Sequence, residues 1–288
     1  MRLRRALPAV LALLYACSSA PASAPQHPRR VPPDDTGSYV TWWSDERVRE
    51  EGSYRQGRRN GHVRGYHPDG SVAFEGEFAD GVPVGQLVQN YPGGARAIVQ
   101  EPASASGEAE RREYAPSGEL RAVGTVQAGE RNGVVETLHP NGKVATRGRY
   151  EHDVPVGEWQ SFDAEGRLAS TTVYWTSGGK PAGYLETVQD PGGHVSVQTR
   201  SLMQGTDLVS RVTMWYPSGR QAGLVEYRNG LREGRDISWD TEGRKRSEGR
   251  RTGDLREGVW TTWDEQGAVE TRTLFEHDRD MGPAPAGG

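Results

Sequence analysis

One frame returns along this chain every 24 residues. A glycine or small residue opens it, apolar or aromatic residues follow two and five places later, a turn glycine stands at +9, another glycine at +15 and an aromatic at +17. The openers are Gly37, Gly61, Gly85, Ala109, Gly133 and Gly157, then, after an irregular stretch, Ser210, Gly234 and Gly258. Self-similarity at this period restricts the chain to a repeat architecture, in which each unit buries its apolar face on its neighbours. It also weighs against an enzyme, because repeat arrays mostly present surfaces.

The unit from Gly133 shows the local logic. Its turn reads His139-Pro140-Asn141-Gly142, and related turns are His67-Pro68-Asp69-Gly70, Ala115-Pro116-Ser117-Gly118 and Tyr216-Pro217-Ser218-Gly219. Proline presets the first corner, Asp, Asn or Ser suits the second, and glycine takes the left-handed position. This predicts a hairpin closed by a type I turn and a glycine bulge. Position +5 then faces +11, giving Trp42/Val48, Tyr66/Val72, Tyr114/Leu120, Leu138/Val144, Phe162/Leu168 and Trp263/Val269. Even alternation along the strand further predicts that +5, +11 and +17 share one strongly apolar face, with +2 on a second, mixed face. The glycine at +15 leaves room for a neighbouring ring. The expected fold class is all-β: an elongated single-sheet array of about ten β-hairpin repeats.

The N-terminus reads as a targeting segment. Arg2, Arg4 and Arg5 precede an apolar run from Ala6 to Ala16, too short to span a bilayer as a permanent helix. It ends Leu14-Tyr15-Ala16-Cys17, which resembles a bacterial lipobox, and Cys17 is the only cysteine. Cys17 is therefore the expected lipid attachment site, and two or more acyl chains would anchor it stably to a membrane. Ser18 after it resembles outer-membrane sorting. The expected organisation is a signal peptide over 1–16, a Ser/Ala/Pro-rich tether over 17–36, repeats over 37–175, a degenerate repeat and insertion over 176–209, repeats over 210–282, and a disordered tail over 283–288. A degenerate hairpin from Gly183 to Val197, turning at Pro191-Gly192-Gly193, is expected within the insertion. A loop or frayed edge is expected near Glu101–Gly107.

The chain has 288 residues and 38 glycines, with 34% hydrophobic residues and a formal charge of −4. Losing the three leader arginines takes that charge to −7, which disfavours a nucleic-acid or anionic-membrane binder. A mean hydropathy of −0.77 suits an elongated sheet that buries little area per residue. His67 and His139 share one turn position in different frames, and no HExxH, CxxC or GxSxG occurs. No catalytic residue, cofactor or metal is expected.

The string from Tyr216 to Gly234, with Tyr227, Gly230 and Gly234, resembles the bacterial variant of the MORN repeat. So do Tyr150 with Gly157, and Phe78 with Gly81 and Gly85. The resemblance implies stacked hairpins in one long sheet and a binding or scaffolding role, and some bacterial members are labelled antitoxins. The expected function is a non-enzymatic envelope lipoprotein that binds another envelope protein. The alternatives are an antitoxin or immunity protein and a cell-wall glycan binder. Tyr39, Trp159 and Trp260 on the +2 face are the expected partner-binding face.

Overall fold

The computed structural model describes residues 35–43 and 47–285. The signal peptide, Cys17 and nearly all of the tether lie outside the described residues. The protein is all-β, with no helix among the described residues. Two units divide the chain, over 1–95 and 96–288.

The first unit is a sheet of β1 (Gly37–Trp42), β2 (Val48–Arg55), β3 (Arg58–Tyr66), β4 (Val72–Ala79), β5 (Val82–Pro83) and β6 (Leu87–Asn90). The second runs through β7 (Arg96–Gln100), β8 (Glu108–Tyr114), β9 (Leu120–Gln127), β10 (Glu130–Leu138), β11 (Val144–Glu151), β12 (Val154–Phe162), β13 (Leu168–Ser177) and β14 (Lys180–Gln189). It continues through β15 (Val195–Gln204), β16 (Asp207–Trp215), β17 (Gln221–Arg228), β18 (Leu231–Trp239), β19 (Lys245–Thr252), β20 (Leu255–Trp263), β21 (Val269–Glu276) and β22 (Arg279–Pro283). Each strand of the second unit pairs antiparallel with the next in sequence. Residues 101–107 form a turn between β7 and β8, where Gly107 N donates to Ser104 O at 2.9 Å. Pro283 ends the last strand and Ala284 N donates to Arg272 O at 2.8 Å, so the paired structure reaches past residue 282.

The turns form as their residues dictate. Gly142 has φ of 80° and its N donates to His139 O at 2.9 Å, closing the first corner. All six pairs expected across these hairpins are in register, Leu138 opposite Val144 among them. A second bulge follows. Thr137 faces Thr146 while Leu138 faces Val144, so Ala145 is an extra residue. One extra residue reverses the side-chain alternation beyond it. Tyr150 therefore lies opposite Gly133, and Gly148 opposite Val135.

This corrects the expected assignment of faces. Position +17 shares its face with +2, not with +5 and +11. Val63, Val135 and Trp159 at +2 are buried, as are Tyr54, Phe78, Tyr150 and Phe275 at +17. Their rings meet edge-to-face: Tyr150 and Trp159 centroids are 4.9 Å apart, and Trp159 and Tyr174 6.4 Å. Such contacts are worth roughly 0.5–1.5 kcal/mol each beyond area burial. The glycine at +15 makes the space. A Cβ on Gly148 would lie 2.0 Å from Trp159 Cδ2, and one on Gly249 2.3 Å from Trp260 Cδ2.

Consecutive hairpins join through a third irregularity. Val126 pairs with Arg131 and Gly124 with Val135, so three residues of β10 oppose Thr125 alone. Gly133 sits there at φ of 124°, a conformation that side chains rarely adopt. The two-residue turns that follow use left-handed residues even without glycine, as at His152-Asp153 and His277-Asp278. The aspartates are held in place. Asp153 N donates to Arg131 O at 3.0 Å and Asp153 Oδ1 accepts from Arg131 N at 3.2 Å. Asp254 with Arg232 and Asp278 with Arg256 repeat the same reciprocal clasp.

Candidate binding surfaces

The three residues expected to meet a partner lie on the packed face. Trp159 is 3% exposed, and its Nε1 donates to Arg149 O at 3.2 Å. Trp260 is half-buried, donates to Arg250 O at 3.1 Å, and lies 5.1 Å from the Arg251 guanidinium. Tyr39 is half-buried and packs edge-on to Tyr54 at 5.9 Å. Their rings and indole donors are spent inside the sheet.

The opposite face is the open one. Within the second unit it shows Val134 at 51% exposure, Val269 at 55%, Val173 at 39% and Val259 at 38%. The +5 residues Tyr114, Leu138, Phe162, Trp215, Trp239 and Trp263 are half-buried. Charged pairs lace the same face. Arg147 Nε meets Glu136 at 2.6 Å, and Glu226 receives Arg211 and Arg235 at 3.0 Å each. Partial burial works against the Glu226 charge, but the two arginines outweigh it and hold its pKa at about 2. Even alternation would set +17 on this face, and the second bulge turns it to the other.

On the packed face, carboxylates and arginines are ordered into a recurring group. Asp153 receives Arg131 Nε at 2.7 Å, and that guanidinium lies 4.1 Å from the Tyr150 ring. Asp278, Arg256 and Phe275 repeat it, at 2.7 and 3.8 Å. Asp236 receives Arg251 at 2.6 Å beneath Trp260. In the first unit Glu50 receives both Arg59 Nε and Nη2 at 2.8 Å, and Tyr54 Oη at 2.5 Å, while Arg59 stacks on Phe74 at 4.7 Å. Each cation–ring contact is worth roughly 0.5–2 kcal/mol. No sequence motif announces these groups, because their members come from adjacent strands.

The histidines serve as local staples. His67 Nε2 reaches Asn90 O and His139 Nε2 reaches Phe162 O, each at 2.9 Å, and Tyr216 Oη donates to Trp239 O at 2.8 Å from the same turn position. No group of three or more metal-binding side chains converges among the described residues. A shallow cleft of 410 Å³ lies between the turns at Asp163–Leu168 and Asp190–Gly193.

Against known families, residues 59–80 match the MORN repeat variant, covering β3, its turn and β4. No curated protein matches the chain. Among solved structures, a TcdB2-TccC3 crystal structure is similar at 11% identity over 84% of this chain and 16% of the other, with a TM-score of 0.20. The Photorhabdus luminescens Tc holotoxin pore is 10% identical over 84% of this chain and 16% of that one, with a TM-score of 0.18. A Bacteroides fragilis protein of unknown function is 9% identical over 50% of this chain and 92% of its own, with a TM-score of 0.17. Scores this low carry no argument about fold or function. The matched segment, with its turn and its strand pair, supports a MORN-like hairpin-repeat protein.

Proposed function

We propose that the chain is a non-enzymatic, membrane-anchored repeat lipoprotein of a bacterial cell envelope, built from about ten 24-residue hairpins, that binds another envelope protein. The observation that supports it is the contrast between faces. One face consumes its rings and charges internally, whereas the other leaves valines exposed beside a column of half-buried aromatics. Apolar surface of that kind, interspersed with charged pairs, suits a protein partner. Cys17 would supply the outer-membrane anchor and the Pro-rich segment the reach. No cofactor, metal or nucleic acid enters this reading.

The test is cross-linking in intact cells followed by affinity capture, with wild type, Cys17→Ala, and Val134→Ser combined with Val259→Ser. A specific protein is expected with wild type, reduced with Cys17→Ala and lost with the double variant while circular dichroism stays unchanged. Capture of a toxin would assign an immunity role instead. Sedimentation with purified sacculi and no protein captured would assign a glycan ligand. Undiminished capture by the double variant would remove the open face from the reading.

A further inference from the structure

Four acid–arginine–ring groups order the packed face, and at a fifth place the acid and the rings stand without an arginine. Glu186 of β14 lies opposite Thr172 of β13 and Thr199 of β15. Asp236 of β18 holds the corresponding place, opposite Val225 of β17 and Gly249 of β19. Asp236 has Arg251 at 2.6 Å and Arg232 at 3.4 Å. Arg251 stands two residues past Gly249, and two residues past Thr199 stands Ser201. Arg232 faces Tyr227, two residues past Val225. Two residues past Thr172 is Tyr174, which faces Tyr184. Ser201 and Tyr184 thus occupy the positions of the two arginines.

What remains is a carboxyl group, two tyrosine rings with centroids 6.0 Å apart, and flanking threonines. Glu186 is 9% exposed and receives no hydrogen bond or ion pair from the described residues. Its oxygens keep some contact with solvent. Burying a carboxylate without a partner is costly, and a guanidinium satisfies it with charge and two parallel donors while stacking on a ring. At Glu50 and Asp236 the same chain shows which group fits such a place.

We infer that Glu186, with Thr172, Thr199, Tyr174 and Tyr184, receives the guanidinium of an arginine side chain from a partner polypeptide, completing from outside a group that the chain elsewhere completes from within. The inference rests on the protein-binding reading, but it concerns the face opposite the apolar column, so the two can fail separately.

The experiment is saturation-transfer NMR on the full chain with a Gly-Ser-Arg-Ser-Gly peptide, its citrulline counterpart, and spermidine. Citrulline keeps the shape and loses the charge. The arginine peptide is expected to bind about tenfold better than the citrulline peptide. Glu186→Gln should abolish that preference. Tyr184→Arg should abolish it too, by supplying an internal guanidinium, and should leave the fold intact if Glu186→Gln proves unstable. Val134→Ser with Val259→Ser should leave peptide binding unchanged even where partner capture is lost. Equal binding of arginine and citrulline peptides, or a preference that survives Glu186→Gln, would overturn the inference. Spermidine binding with no peptide binding would overturn the assignment to a polypeptide.

Discussion

The strands β9–β12 and β13–β17 use the same turns and the same sheet, yet they solve the junction between hairpins differently. In the first region an opener glycine takes a left-handed φ, at Gly133 and Gly157, and three residues crowd opposite one. In the second, β15 pairs with β16 from Val197↔Met214 to Gln204↔Asp207 without a shift, and the opener is Ser210. The chemistry of the packed face changes with it. Gly124 and Gly148 admit Val135 and Trp159, whereas Thr172 faces Glu186. The pairing extends further. Gly52, Gly76 and Gly249 receive Val63, Leu87 and Trp260, while Gln100 faces Arg111 and Val225 faces Asp236. A side chain at +15 removes the room for a ring, and a polar residue takes the opposite place. Thr199 facing Val212 and Thr273 facing Pro283 are exceptions.

The comparison breaks most visibly if the ring is removed. Trp159→Ala should cost roughly 3–5 kcal/mol, read as a lower urea midpoint with an unchanged slope. Gly148→Ala should cost about 1–3 kcal/mol by overpacking the same ring. Combining the two should cost less than their sum, since each change relieves the other. Additive losses would mean that the glycine and the ring are not one device. Thr172→Ser, in the other region, should move the midpoint little.

Gly133→Ala meets Thr125 Cβ at 2.9 Å and a φ of 124°, and should destabilise by about 1–3 kcal/mol. Ser210→Gly, where the backbone needs no such freedom, should cost about 0.5–1 kcal/mol at most. Equal costs at the two positions would remove the glycine as the cause of the bulged junction.

Turns and cross-strand partners were legible because they depend on residues within about ten of one another. Pro140, Asn141 and Gly142 fix the corner, and the corner fixes Leu138 against Val144. The space at +15 was legible too, as a missing side chain beside an aromatic. The face of Tyr150 was not, because Ala145 carries no mark of being a bulge, and a single extra residue exchanges the faces. Tyr39, Trp159 and Trp260, expected on a mixed face, accordingly share their face with the +17 rings. Glu186 was invisible for another reason: it becomes distinct only when register gives it the place that Asp236 holds four strands on, with Ser201 and Tyr184 where the arginines stand.

The smallest effect separates the two carboxylates by pH. Glu226, held at about 2 mainly by Arg235 and Arg211 against the cost of partial burial, has a depressed folded-state pKa. Its stabilisation is present above the ordinary carboxylate value of 4.5 and is lost as pH falls towards 2. Glu226→Gln should therefore lower the melting temperature at pH 7, and the difference from wild type should shrink in acid. Burial pushes Glu186 the other way, above its ordinary value. Its protonated form suits the fold, so stability is full below 4.5 and declines as pH rises through the raised value. Glu186→Gln should then raise the melting temperature by a few degrees at pH 7, with the gain vanishing at lower pH. Opposite signs from two glutamates of one sheet would tie the difference to whether an arginine stands beside each. A loss of stability in Glu186→Gln at pH 7 would show that the carboxylate already has a partner, and the region from β13 to β16 would no longer differ from its neighbours in that respect.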